Sequence, residues 1–212
     1  MALTRERVLA EAIAMADEAG IRAVSMRKLA QRLGVEAMSL YHHVKNKSQL
    51  LDGMVDASFD EITMTPSDLP WREALTVRCR SVREVSLRHP WAVALLDSRE
   101  NAGFQTLRQH NAVIGCFREA GFDIAMAAHG FALIDAFVFG FVIQETALPF
   151  TNSDELQAVA GPILDEAMVA ELPHLVEMVV GHVLKPGYAY AEEFEFGLSL
   201  ILDGLERRLA GA

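Results

Sequence analysis

Apolar positions recur at helical spacing along almost the whole chain. Val8, Leu9, Ala12, Ile13 and Ala16 follow one another at steps of three and four behind Thr4, whose hydroxyl suits an N-cap, and Gly20 closes the run. Ser25 opens a second short helix over 26–33, which stops at Gly34, a residue that takes positive φ at little cost. A third is predicted from Val35 or Glu36 to about Val44. Asn46, with Gln49 three residues on, marks a capping-box-like start to a fourth. Beyond the Pro-containing connection 63–71, the same periodicity predicts helices at 71–88, in a short piece after Pro90, and at 102–119, 123–147, 163–181 with a break at Pro173, and 190–210. Residues 148–162, punctuated by Pro, Asn and Gly, read as the most mobile loop. Alternating strand runs between turn signals are missing, so the fold class is all-α.

Two of these stretches are too apolar for an ordinary surface helix. The segment 124–143 is long enough to span a bilayer, but His129 and Asp135 sit inside it and its flanks lack cationic or aromatic anchors. It is expected instead in a protein core or subunit interface, where His129 and Asp135 would be hydrogen-bonded polar groups. In the last helix Phe194, Leu198, Ile201, Leu205 and Leu209 form a stripe too wide to leave wet.

Composition narrows the class. With 212 residues, 51% apolar and 23% charged, the chain has the makings of a soluble globular protein. Cys79 and Cys116 lie far apart without metal or disulfide spacing, and the N-terminus has no apolar export segment, so a reducing, cytoplasmic setting is expected. Charge is divided unevenly. Residues 1–50 carry a formal net of +3 and residues 51–212 a net of −13, as expected if only the head meets phosphate.

That head contains the pattern of a helix-turn-helix: two short helices around Gly34, with Ala30 at their close crossing and Leu29, Leu33, Val35, Leu40 and Val44 facing the first helix. Its solvent side gathers Arg27, Lys28, Tyr41, His42, His43, Lys45 and Lys47, which an ordinary αα-hairpin rarely does. The run "RKLAQRLGVEAMSLYHHVKNKSQLLDGM" resembles the headpiece of the tetracycline-repressor (TetR) family of bacterial transcription regulators. More weakly, Trp71, His89 and the terminal "FEFGLSLILDGLERRL" resemble the tetracycline-repressor subgroup itself.

The resemblance implies a three-helix DNA-binding domain over 1–48 and an effector-binding and dimerisation domain over 49–212. It further implies a homodimer joined by a four-helix bundle, with a palindromic double-stranded operator as partner. Asp135, Leu198, Ile201 and Leu205 are the candidate dimer contacts. Carried over position by position, Ser25 caps the second helix and offers a phosphate contact, beside Met26, while Arg27 reaches guanine in the major groove. Ala37, Met38, Ser39 and His42 face the groove, Ala37 and Met38 against thymine methyls; Tyr41 and His43 rest on phosphates, and Lys47 clamps another. The subgroup has Gln-Pro-Thr where this chain has Ala37, Met38 and Ser39, and Trp where it has His42, so a different operator follows.

The subgroup also holds its drug as a magnesium chelate. Leu96 stands where a metal-ligand histidine is expected, Thr63 or a neighbour where another would be, and Gln144 where a glutamate would be, so neither metal nor cofactor is expected. The candidate pocket is Arg78, Val82, Leu96, Phe104, His110, Val113, Phe131 and Gln144, suited to a hydrophobic or amphipathic effector with one anionic or hydrogen-bonding group. Repression relieved by the effector is the expected function, and corepression fits the same framework. Two other classes stay open. An all-α enzyme would need a motif such as HExxH or GxSxG, which the chain lacks, and an adaptor bundle would show an eroded basic head.

Overall fold

The structure is a computed structural model and describes residues 2–96, 102–150, 153–164 and 166–211. Twelve α-helices and no strand occur among these residues. The first, α1 (Arg5–Ala19), starts where Thr4 Oγ1 accepts from the Arg7 amide and ends at Gly20, φ +76°. After a 3₁₀ turn come α2 (Met26–Leu33), α3 (Ala37–Leu40) and α4 (Lys47–Asp60). The third helix is shorter than its periodicity suggests. The amides of Tyr41 and His43 bond three residues back, to Met38 and Leu40, so the chain tightens into turns through a run of ring-bearing residues with weak helix propensity. Val44 still reaches the core.

The body consists of α5 (Trp71–Arg88), α6 (Pro90–Leu95), α7 (Phe104–Glu119), α8 (Ile124–Ala147) and α12 (Tyr190–Ala210), with three short helices between the last two. These are α9 (Ser153–Ala160), α10 (Glu166–Glu171) and α11 (Pro173–Met178), which runs into a π turn, Val179–Val183. One expectation is corrected here. Residues 153–160 are helical rather than loop, with Leu156 and Ala160 buried at a four-residue spacing that the neighbouring punctuation obscured. The helical stretch expected over 163–181 breaks at Pro173, which begins a new helix at the position where its missing N–H does no harm.

α8 packs on α5, α7 and α12, and α4 packs on α1, α6 and α7. Gly197 lets α12 approach α8 closely, because a Cβ there would lie 2.6 Å from the Phe137 ring. Ion pairs tie α5 to its neighbours: Arg72 to Asp203 and Glu206, Arg80 to Glu195 at 2.7 Å, and Arg83 to Glu145. The Arg83 guanidinium also lies 5.3 Å from the Phe194 ring centre. One apolar cluster runs from Val8 and Leu29 in the head through Met54 and Phe59 to Phe117 and Leu198 in the body.

Candidate nucleic-acid interface and effector cavity

The head divides its residues cleanly between inside and outside. In α2, Leu29, Ala30 and Leu33 are buried while Arg27 and Lys28 are exposed on the opposite side. Ser25 caps the helix, its Oγ accepting from the Lys28 amide at 3.3 Å. At the turn Gly34 takes φ +67°, and the Val35 amide donates to the Ala30 carbonyl at 3.0 Å, so the left-handed residue swings α3 across α2. Met26 and Ala37 are half-buried against the core and offer only part of their surface outward. Met38 is 72% exposed, Tyr41 and His42 are exposed, and Ser39 and His43 are half-exposed.

Lys47 begins α4. Asn46 Oδ1 accepts from the Gln49 amide at 2.7 Å and Gln49 Oε1 from the Lys45 amide at 2.6 Å, which fixes the approach of both lysines. Arg32 is different from the other cations. Its guanidinium pairs with Glu11 at 2.6 Å and Glu18 at 2.5 Å on α1, and that bonding holds the Glu18 carboxyl below its ordinary range. Arg27, Lys28, Lys45 and Lys47 have no ion pair among the described residues, so the positive charge of this face is uncompensated.

In the body a cavity of about 530 Å³ lies between α4, α6, α7 and α8. Of the candidate pocket residues, Leu96, His110 and Phe131 line it, the His110 ring meeting Phe131 edge-on at 5.0 Å. Phe59, Phe139, Ile143 and Asp135 line it too, and sequence reasoning missed them as pocket residues. The signal was present in α8, where Phe131, Asp135, Phe139 and Ile143 repeat at every fourth position and so share one face.

Other expected pocket residues lie elsewhere. Val82 and Val113 are sealed in the core, where tight packing leaves them no opening to the cavity. Phe104 is 74% exposed at the start of α7, outside the lining. Gln144 is exposed and accepts from the Tyr190 hydroxyl at 3.2 Å. Arg78 stands behind the wall. It is 0% exposed, and its Nη1 donates to Asp135 Oδ1 at 2.7 Å. Asp135, expected at the dimer contact, is therefore the Arg78 partner and part of the cavity lining. With Leu96 in the wall and Asp135 committed to Arg78, this set of donors does not suit a magnesium chelate.

The leucine and isoleucine contacts expected on α12 pack largely against the chain's own core, and Ile201 and Leu205 also line a groove on its outer side. Leu198 and Leu205 are buried in the chain's own core and Ile201 is half-buried, because their stripe faces α8 of the same chain. Phe196 and Leu200 occupy the outer face. On α8 Ile124, Leu133 and Ile143 are exposed, and only 28% of its most apolar 18-residue window is buried. His129 is exposed and lines a groove of about 320 Å³ with Leu133, Leu200 and Gly204.

Comparison with known proteins gives this geometry a family. Residues 8–54 match the bacterial regulatory proteins of the tetR family, and residues 65–209 match the tetracyclin repressor-like C-terminal domain. An HTH-type transcriptional regulator of Saccharopolyspora erythraea is 37% identical over 204 residues, covering 96% of this chain and 84% of that protein. The HTH-type transcriptional repressor DrrR1 of Streptomyces coeruleorubidus is 30% identical over 213 residues, covering 96% and 77%. Among solved structures, the TetR family protein ActR of Streptomyces coelicolor in complex with actinorhodin is 28% identical, with a TM-score of 0.79 and 99% of each chain covered. The chain therefore belongs to the tetracycline-repressor (TetR) family: it is a helix-turn-helix transcriptional regulator that binds DNA and responds to a ligand, and it is not an enzyme.

Proposed function

We propose that the protein is a repressor that holds a palindromic operator as a homodimer and leaves it when a small, largely apolar effector fills the body cavity. The observation that carries this reading is the course of α4. It begins with Lys47 on the uncompensated cationic face and reaches the cavity at Phe59. Twelve residues at about 1.5 Å each place these ends roughly 18 Å apart on one rigid helix. A ligand that displaces Phe59 tilts the helix whose start approaches the DNA backbone, so differential affinity for two tilts becomes loss of DNA binding.

In this reading Arg27 donates to guanine and Met38 meets a thymine methyl, while Ser25, Tyr41, His43 and Lys47 hold phosphates; Met26, Ala37, Ser39 and His42 complete the contact. The exposure of Met38, Arg27 and Lys47 supports it. Dimerisation joins the outer faces of α8 and α12, where Leu133, Phe196 and Leu200 are exposed, to their copies in a four-helix bundle. Two recognition helices then fall about one DNA turn apart, roughly 34 Å, and the operator is an inverted repeat. The protein works where the chromosome is, in the cytoplasm. Repression as the sign of control is supported by DrrR1, named a repressor, and a small organic effector by the ActR complex with actinorhodin.

The test is a mobility shift on DNA upstream of the protein's own gene and its neighbours, with footprinting of the retained fragment at two salt concentrations. A protected inverted repeat is expected, with Lys47→Ala weakening all DNA and lowering the salt slope by about 1 per subunit contact. Arg27→Ala should lose about 1–3 kcal/mol on the operator alone. A footprint without two-fold symmetry, or variants that bind like wild type, contradicts the reading.

A further inference from the structure

The chemistry of the cavity wall goes further than its apolar character. We propose that the effector is an aromatic molecule carrying a cationic hydrogen-bond donor, a protonated amine, that donates to Asp135; this rests on the cavity being the effector site. Asp135 is the one carboxylate among the described lining residues, which include no Lys or Arg. Its Oδ1 is taken by Arg78 Nη1 at 2.7 Å, whereas Oδ2 accepts no hydrogen bond from a described residue. That carboxylate is the ion-pair partner, among the described residues, of a guanidinium with no exposed surface. An ionised carboxylate only accepts, so the ligand atom that meets it has to donate.

The rest of the wall agrees. Phe59, Phe131 and Phe139 surround the same space, and His110 adds a ring edge-on to Phe131. Aromatic faces carry negative charge density that attracts a cation and stack well on a planar ring system. An anion would meet the Asp135 carboxylate directly. The remaining donors of Arg78, Nε and Nη2, are unpartnered, but they lie behind Asp135 at 0% exposure and outside the lining. The anionic alternative expected from Arg78 is thus disfavoured by the position of its own partner.

A matched series separates the alternatives. N-phenyl-1-naphthylamine, a neutral fluorescent probe of apolar cavities, is bound to the purified full chain and displaced with 1-naphthylmethylamine, 1-naphthylmethanol or 1-naphthoate near neutral pH. The ring is shared and only the polar group changes. The ammonium should displace the probe at a concentration at least tenfold below that of the naphthoate, as expected for a charge-assisted hydrogen bond gained against a like-charge contact. Naphthylmethanol should fall between them. Asp135→Asn should collapse the order, and because it weakens the partner of a buried guanidinium, the combined Arg78→Met and Asp135→Asn variant is measured beside it. Phe131→Ala should weaken all three competitors and the probe alike. If the three competitors are equal, or naphthoate leads, while Phe131→Ala still weakens the probe, the cationic class is wrong and the cavity stands. If naphthylmethanol equals the ammonium and both lose equally in Asp135→Asn, a neutral donor replaces the cation and the proposal as stated is overturned. If probe binding is unchanged by Phe131→Ala, the cavity reading itself fails and this inference with it.

Discussion

Arg78 concentrates the tension between stability and function in one side chain. Its guanidinium has no exposed surface and, among the described residues, one partner oxygen, on Asp135, while Nε and Nη2 are left without a hydrogen bond. A buried ion pair of this kind gives back little of the free energy lost in removing two charges from water. Taking away one partner is worse, because the other charge stays inside uncompensated. Arg78→Ala should therefore destabilise the fold by about 3–5 kcal/mol in urea unfolding. Replacing the pair together, Arg78→Met with Asp135→Leu, should leave stability within about 2 kcal/mol of wild type or raise it. If the single and double changes are equally damaging, the pair contributes through packing and not through charge. The neighbouring thiol records the same dry surroundings, burial pushing Cys79 up to about 11.

At the scale of elements, α12 has two apolar faces with different uses. Phe194, Leu198, Leu202 and Leu205 pack inward against the same chain, while Phe196 and Leu200 look outward beside the exposed Leu133 of α8. Phe196→Glu or Leu200→Glu should leave the melting of the secondary structure nearly intact and shift the molecular mass in light scattering from two chains to one. Operator affinity should fall at least tenfold at the same time, since one head makes half the contacts. A variant that remains dimeric would remove this face from the interface. The same helix shows what a sequence reveals. A stripe at steps of three and four announces that residues 194, 198, 201, 205 and 209 are covered, but periodicity does not say whether the cover belongs to the same chain or another. The start of α1, the extent of α2 and the cap at Asn46 were legible because side-chain chemistry marks each one locally. The place of Asp135 was not, because it depends on α5 bringing Arg78 to it from 57 residues away.

For the whole molecule, the question is how the head is held to the body at an angle that DNA can use. α4 supplies one connection, and the other is a polar knot where the end of α1 meets α6. Asp17 Oδ1 accepts from the Trp91 indole at 2.6 Å and faces His89 Nδ1 at 2.8 Å, while His89 Nε2 lies 3.3 Å from Glu61 at the end of α4, itself paired with Arg88 at 2.9 Å. His89 and Trp91 are buried, so these bonds are shielded from competing water. α6 goes on to the cavity through Val93 and Leu96, which makes Asp17 the point where the ligand-facing body grips the head. Asp17→Ala removes the acceptor for two buried donors, each such bond to a charged group being worth about 1.5–3 kcal/mol. The damage should be local. Amide hydrogen exchange should accelerate across α1, α2 and α3 by at least tenfold, while α5, α8 and α12 keep their wild-type protection. Because the two heads are then less firmly oriented, operator affinity should fall although every DNA-facing side chain is intact. Trp91→Phe in the Asp17→Ala background, which removes one orphaned donor, should recover part of the lost stability but none of the lost orientation. Equal acceleration in head and body would show instead that Asp17 serves a single cooperative core, and the knot would then have no separate part in transmitting the ligand's effect.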